Sequence, residues 1–156
     1  MKRSSACFLI VLFSLVFAIV PASPQSPRLP SPELKKQDFF AGKWRLEGIT
    51  KPSSFGPGDQ KFESREDLEW MPGGFFLLAH SYSDGKLEGV TIIGYDEKEN
   101  VFTHTTFESS GRTEVWKGTA QNDNWTWTRA GSANGKPVKV RLAIKKIGSD
   151  AYSFTQ

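Results

Sequence analysis

From Lys43 onward the chain reads as short strands separated by turn signals, and in the clearest of them apolar and polar residues alternate with a period of two. That is the spacing of a strand with one buried face. The clearest example is the run 137–147. Val138, Val140, Leu142 and Ile144 share one face, and Lys139, Arg141 and Lys145 share the other. The run 60–71 repeats the pattern. Phe62, Leu68 and Trp70 lie on one side, with Lys61, Glu63, Arg65, Asp67 and Glu69 opposite. The pattern predicts strands over 43–50, 60–71, 75–83, 87–95, 101–109, 112–119, 125–130 and 137–147, with a ninth over 151–156. Turn residues separate them: Pro72-Gly73-Gly74, Asp84-Gly85, the run 96–100, Ser110-Gly111, the run 121–124 and Gly148-Ser149-Asp150. A Pro-, Ser- and Gly-rich loop over 51–59 joins the first two strands. These are mostly hairpin links, and long crossings are missing. The predicted fold is therefore all-β, an antiparallel up-and-down meander barrel of about nine strands. Its last strand ends without a closing partner, so the barrel is expected to lack its closing strand.

The residues before Lys43 do not alternate. Ser31-Pro32-Glu33 combines a capping hydroxyl, proline at the first helical position and an acid in the first turn. A short helix is expected from there to about Phe40, before Gly42 ends it. Leu34, Phe39 and Phe40 are its apolar contacts, placed to plug one end of the barrel. Upstream, Pro21, Pro24, Pro27 and Pro30 recur every third residue, the period of polyproline II, which makes 23–32 a Pro-rich linker, either a stiff tether or a disordered start.

Lys2 and Arg3 precede the mostly apolar run 6–20, which is followed by Pro21-Ala22. This reads as a secretory signal peptide over 1–22, cleaved after Ala22, and makes the protein secreted or periplasmic. The run is shorter than the ~20 residues that span a bilayer as a helix, so no membrane span is expected after cleavage. Cleavage changes two readings. The only cysteine, Cys7, leaves with the leader, which excludes thiol nucleophiles and thiolate metal sites. Loss of Lys2 and Arg3 reduces the 20 basic residues to 18 against 17 acidic ones, lowering the net charge from +3 to +1. No basic footprint for nucleic acid remains.

Catalytic chemistry finds little support. His80 and His104 fall on the third and fifth predicted strands, roughly 10 Å apart if level, which is far for a shared metal. No third His or Cys completes a zinc site, so neither a metal nor a cofactor is expected. Ser81 follows His80 directly, and strand neighbours point to opposite faces. No Gly-x-Ser-x-Gly elbow occurs.

Gly42-Lys43-Trp44, after a short helix and at the head of the first strand, resembles the Gly-x-Trp signature of lipocalins and the wider calycin group. Gly73-Gly74-Phe75-Phe76 and Gly94-Tyr95-Asp96 add to it. Together with the leader they resemble a family of bacterial secreted proteins of unknown function with a lipocalin-like barrel. The resemblance covers 34–156. It implies a barrel over 33–156 whose tryptophan closes one end, usually beneath an arginine from a late strand. It brings no activity and no catalytic residue. Heme-binding relatives use a histidine near the C-terminus, and none follows His104.

Aromatics are the remaining candidate chemistry: 12 Phe, 5 Trp and 3 Tyr. They either fill a core or line a cavity with a few polar groups such as His104, Arg129, Thr103 or Thr105. Trp125 and Trp127 share a face, whichever way it points. The leading expectation is an interior that binds a small lipophilic molecule, with Trp44, His80, Tyr95, His104, Trp116, Trp127 and Arg129 as candidate ligand-binding residues. One alternative is an envelope interaction or structural module with a packed core. The other is a hydrolase or isomerase with acid–base residues at the barrel mouth. That would require a buried carboxylate or histidine of displaced pKa in a pocket.

Overall fold

The computed structural model describes residues 28–52 and 58–156. The expected signal peptide, residues 23–27 of the linker and the middle of the 51–59 loop lie outside the described residues.

Nine antiparallel strands follow one another in a single sheet, in the order β1 to β9. They are β1 (Gly42–Ile49), β2 (Lys61–Trp70), β3 (Leu77–Ser83), β4 (Lys86–Asp96), β5 (Val101–Glu108), β6 (Thr113–Gln121), β7 (Asn124–Ala133), β8 (Lys136–Lys146) and β9 (Tyr152–Thr155). Each strand pairs only with its neighbours in sequence, and no ladder joins β1 to β9. The sheet is a curled meander, a half-barrel, as the turn spacing predicted.

Strand ends depart from the sequence expectation by two residues at the start of β3 and the end of β6, and by three at the end of β7. Strand β7 runs on to Ala133 instead of stopping at Ala130, and pairs with β8 from Asn124↔Lys145 to Ala133↔Lys136. The two-residue link is Asn134-Gly135, with φ of 52° and 74°. A hairpin turn of the I′ type needs positive φ at both central positions, which these two residues adopt most readily. This turn signal lies in the stretch 131–136, between the seventh and eighth predicted strands.

The concave face collects the apolar residues. Leu68, Leu77, Ala79, Ile93, Phe102, Trp116, Trp125, Trp127 and Val140 form the core cluster with Phe40. Both Trp125 and Trp127 point inward, each 3 % exposed. The one helix is a 3-10 helix, Pro32–Phe40, capped by Ser31, whose hydroxyl accepts from the Glu33 amide at 3.4 Å. It ends where Gly42 was expected to end it. Three residues per turn stack every third side chain, so Leu34, Gln37 and Phe40 share its buried face.

This helix plugs the half-barrel through aromatic contacts. Phe40 meets Trp125 edge-on at 4.8 Å and Tyr152 at 5.6 Å. Phe39 stacks on Trp125 at 6.0 Å and packs on Trp44 at 5.2 Å. Two hydrogen bonds fix the helix: Trp44 Nε1 donates to the Phe40 carbonyl at 2.8 Å, and Trp70 Nε1 to Asp38 Oδ1 at 3.0 Å. Trp44 therefore closes this end, as the Gly-x-Trp resemblance implied. Its cover is not an arginine but Phe39 and Tyr152, the latter at 4.8 Å. That contact, with Phe62–Phe154 at 6.0 Å, bridges β9 to β1 and β2 through side chains where no backbone ladder exists.

Candidate functional site

The concave face is not filled. Between the sheet and the 3-10 helix lies a cavity of about 280 Å³. Its walls are mainly apolar: Leu46, Leu68, Ala79, Ile93, Leu142, Ile144 and Phe154 from the strands, and Phe40 from the helix. The polar lining comes chiefly from β2 to β5, where small or polar residues occupy inward positions. These are Glu66, Ser81, Thr91, His104 and Thr106.

Each follows from strand parity and register. Glu66 and Ser81 are cross-strand partners, and Ser81 Oγ donates to Glu66 Oε1 at 3.2 Å. Thr91 and Thr106 are also partners, their hydroxyl oxygens 2.8 Å apart. Two residues before Thr106 on the same face, His104 brings Nε2 to 3.0 Å from Thr106 Oγ1. A hydroxyl donates one proton and accepts others, so this relay has two self-consistent directions. Either the imidazole donates to Thr106, which donates to Thr91, or both bonds reverse.

Burial sets the electrostatics. Desolvation pushes the Glu66 carboxyl above its ordinary range, and the Ser81 hydroxyl partly opposes this. Desolvation lowers His104 to about 4, so the imidazole is neutral at pH 7. Tyr152 is pushed up by burial and further by the nearby Glu66 charge. Gln37, on the buried face of the helix, is 0 % exposed, and neither amide atom has a hydrogen-bond partner among the described residues. A buried amide without partners costs about 1–3 kcal/mol. Such a residue on a cavity wall is a place where a ligand can supply what the protein does not.

Of the seven residues expected to bind a ligand, the structure brings two to the cavity, His104 and Trp127, with ring centroids 5.2 Å apart. Trp44 belongs to the plug. His80 faces outward from β3, paired between Asp67 and Val90, because Leu77, Ala79 and Ser81 take the inward positions. Tyr95 packs on Phe102 at 5.1 Å and gives its hydroxyl hydrogen to Asn100 at the β4–β5 turn. Trp116 and Arg129 form a separate cluster. The guanidinium lies 4.8 Å from the indole centroid and 2.9 Å from Glu114, which also accepts from Trp116 Nε1 at 3.3 Å. Thr103 and Thr105 cannot join His104, since they alternate with it and face outward. Glu66, Ser81, Thr91, Thr106, Tyr152 and Gln37 were missed.

One glycine shapes the cavity floor. Gly118 and Trp127 are cross-strand partners, and a Cβ on Gly118 would sit 2.3 Å from Cε3 of Trp127. The indole lies flat across the sheet because that position carries no side chain. Gly118→Ala is expected to lift Trp127 into the cavity, costing about 1–3 kcal/mol of stability from overpacking. Changed Trp fluorescence together with a lowered unfolding midpoint would show this; an unchanged spectrum would refute it.

A curled antiparallel meander with an apolar interior cavity, plugged by a short helix beneath a Gly-x-Trp tryptophan, is the architecture of a lipocalin-like half-barrel. The chain belongs to the family described as protein of unknown function (DUF1579), whose model matches residues 30–156. A search of curated proteins finds no match. Among the described residues no helix is long and apolar enough to cross a membrane, and no group of three or more His, Cys, Asp or Glu could hold a metal.

Proposed function

We propose that this protein is a secreted or periplasmic binding protein that holds a small, largely apolar molecule inside the half-barrel. The observation that carries this reading is the unfilled, apolar-walled cavity with unpaired polar atoms on its wall. A structural module would gain by filling that volume, since interiors pack densely and voids cost stability. The size falls just below the usual range for ligand pockets, which suits a small occupant. The secreted or periplasmic location rests on the leader sequence alone.

The test is direct. Protein purified from its native host is denatured and its released small molecules are identified by mass spectrometry, beside an Ala79→Leu variant. Ala79 lines the cavity at 3 % exposure, so the added methyl groups occupy ligand space. A stoichiometric compound released by the wild type and at least tenfold depleted in the variant is expected. Equal release from both, or none from the wild type in any preparation, overturns the reading.

One observation favours acid–base catalysis as a second reading. Glu66 and His104, shifted in opposite directions by burial, line the same cavity. Opposed shifts of this kind divide acid and base roles between two groups. Turnover of the released compound by wild type but not by Glu66→Gln would establish it; return of the compound unchanged would dismiss it.

A further inference from the structure

The charge inside the cavity has one sign. Among the described residues its titratable lining is Glu66, His104 and Tyr152, with no lysine or arginine. The Glu66 carboxylate receives one hydrogen bond among the described residues, from Ser81. Isolated carboxylates in apolar surroundings are costly unless paired. The unpaired Oε1 of Gln37 adds a second acceptor on the wall. Around them stand the aromatic side chains of Phe40, Trp127, Tyr152 and Phe154, whose faces attract cations.

We propose that the occupant is a lipophilic amine, its ammonium paired with the Glu66 carboxylate and its hydrocarbon body on Leu46, Leu142, Ile144 and Phe154. This deepens the ligand-binding reading above and rests on it. The ammonium supplies the counter-charge and donors that Glu66 lacks, and charge-assisted bonds are the stronger kind. Ser81 continues to donate to the same carboxylate. A fatty carboxylate would place a second negative charge near Glu66 with no cation to offset either. A fatty alcohol fits the walls equally well but gains only a neutral hydrogen bond.

Three probes of equal chain length separate these cases: n-octylamine, 1-octanol and octanoate, titrated calorimetrically into the purified chain at pH 8. Octylamine is expected to bind at least tenfold more tightly than octanol, and octanoate more weakly than either. Glu66→Gln should lose at least tenfold in octylamine affinity and leave octanol within about twofold, with near-ultraviolet circular dichroism confirming the fold. Octylamine affinity should also fall as pH drops from 8 toward 5, because protonation of the raised Glu66 carboxyl competes with the ammonium. Over that window His104, at about 4, stays neutral and Tyr152 stays protonated, so the change belongs to Glu66. Octanol or octanoate binding as tightly as the amine to the wild-type chain overturns the amine assignment and leaves the ligand-binding reading standing, whether or not the variant folds. Failure of all three probes, with no compound released on denaturation, overturns both.

Discussion

Replacing Trp125 with alanine is expected to lower the unfolding free energy by about 3–5 kcal/mol, the usual cost of truncating a buried large aromatic. Trp125 is 3 % exposed at the start of β7 and is the sheet residue on which both Phe39 and Phe40 rest. Through Phe40 it also reaches Tyr152 on β9, where the sheet is held to its first strands by side chains alone. Its removal opens a void beneath the plug and leaves the 3-10 helix with its contacts to Trp44 and Tyr152 and the Trp70–Asp38 bond. The loss is one of packing, since Trp125 Nε1 has no hydrogen-bond partner among the described residues to leave behind. Trp125→Phe should therefore cost much less, on the order of 1 kcal/mol. Trp44→Phe, which removes the 2.8 Å bond to the Phe40 carbonyl, should cost more than Trp125→Phe by about the value of a hydrogen bond, ~1 kcal/mol. Urea unfolding of the three variants gives these differences. A loss below ~1 kcal/mol for Trp125→Ala would mean that the helix and the sheet do not stabilise one another.

The architecture was legible because strand parity and turn chemistry are local. Val138 to Ile144 declare a buried face without knowledge of any partner strand, and Asp84-Gly85 declares a hairpin. The same parity held more of the site than was taken from it. Once Phe62, Leu68 and Trp70 are assigned inward, Glu66 is inward too. An acid at an inward position of a strand with aromatics at both ends is the signal that was there to find. Likewise His104 inward forces Thr106 inward and Thr103 and Thr105 outward. Gln37 left no such trace. It falls in line with Leu34 and Phe40 only at three residues per turn, and a short capped helix gives no sign in sequence of being 3-10. β1 and β9 do not pair, as the turn spacing of an open meander led one to expect. The bridging of that seam by Tyr152 and Phe154 depends on curvature, which no strand encodes alone. Arg129 shows the limit of resemblance. An arginine does cover an interior tryptophan, but geometry put it over Trp116, beside Glu114, and not over the Gly-x-Trp residue.

Acid should destabilise this protein through His104 before its surface carboxylates titrate. The folded state holds this imidazole at about 4, below the ordinary 6.5, because its place between Trp116, Trp127 and the cavity is poorly solvated. A depressed histidine means that the unfolded chain binds a proton which the folded chain refuses. Stability from this group is thus complete above about pH 6.5 and is lost as pH falls toward 4. Over pH 7 to 4.5 the loss amounts to about 2 kcal/mol. Glu66 works in the opposite sense. Its folded pKa is raised above 4.5, so the folded state binds the extra proton and gains stability as pH falls toward 4.5. The wild-type slope is the difference between the two, and variants separate them. His104→Phe should remove the acid loss, leaving stability flat or rising from pH 7 to 4.5. Glu66→Gln should steepen it by removing the offset. Urea midpoints of the three proteins at pH 7, 6, 5 and 4.5 test both signs at once. A His104→Phe profile parallel to wild type would show that the imidazole takes up its proton inside the folded cavity, and would contradict a neutral Thr91–Thr106–His104 relay.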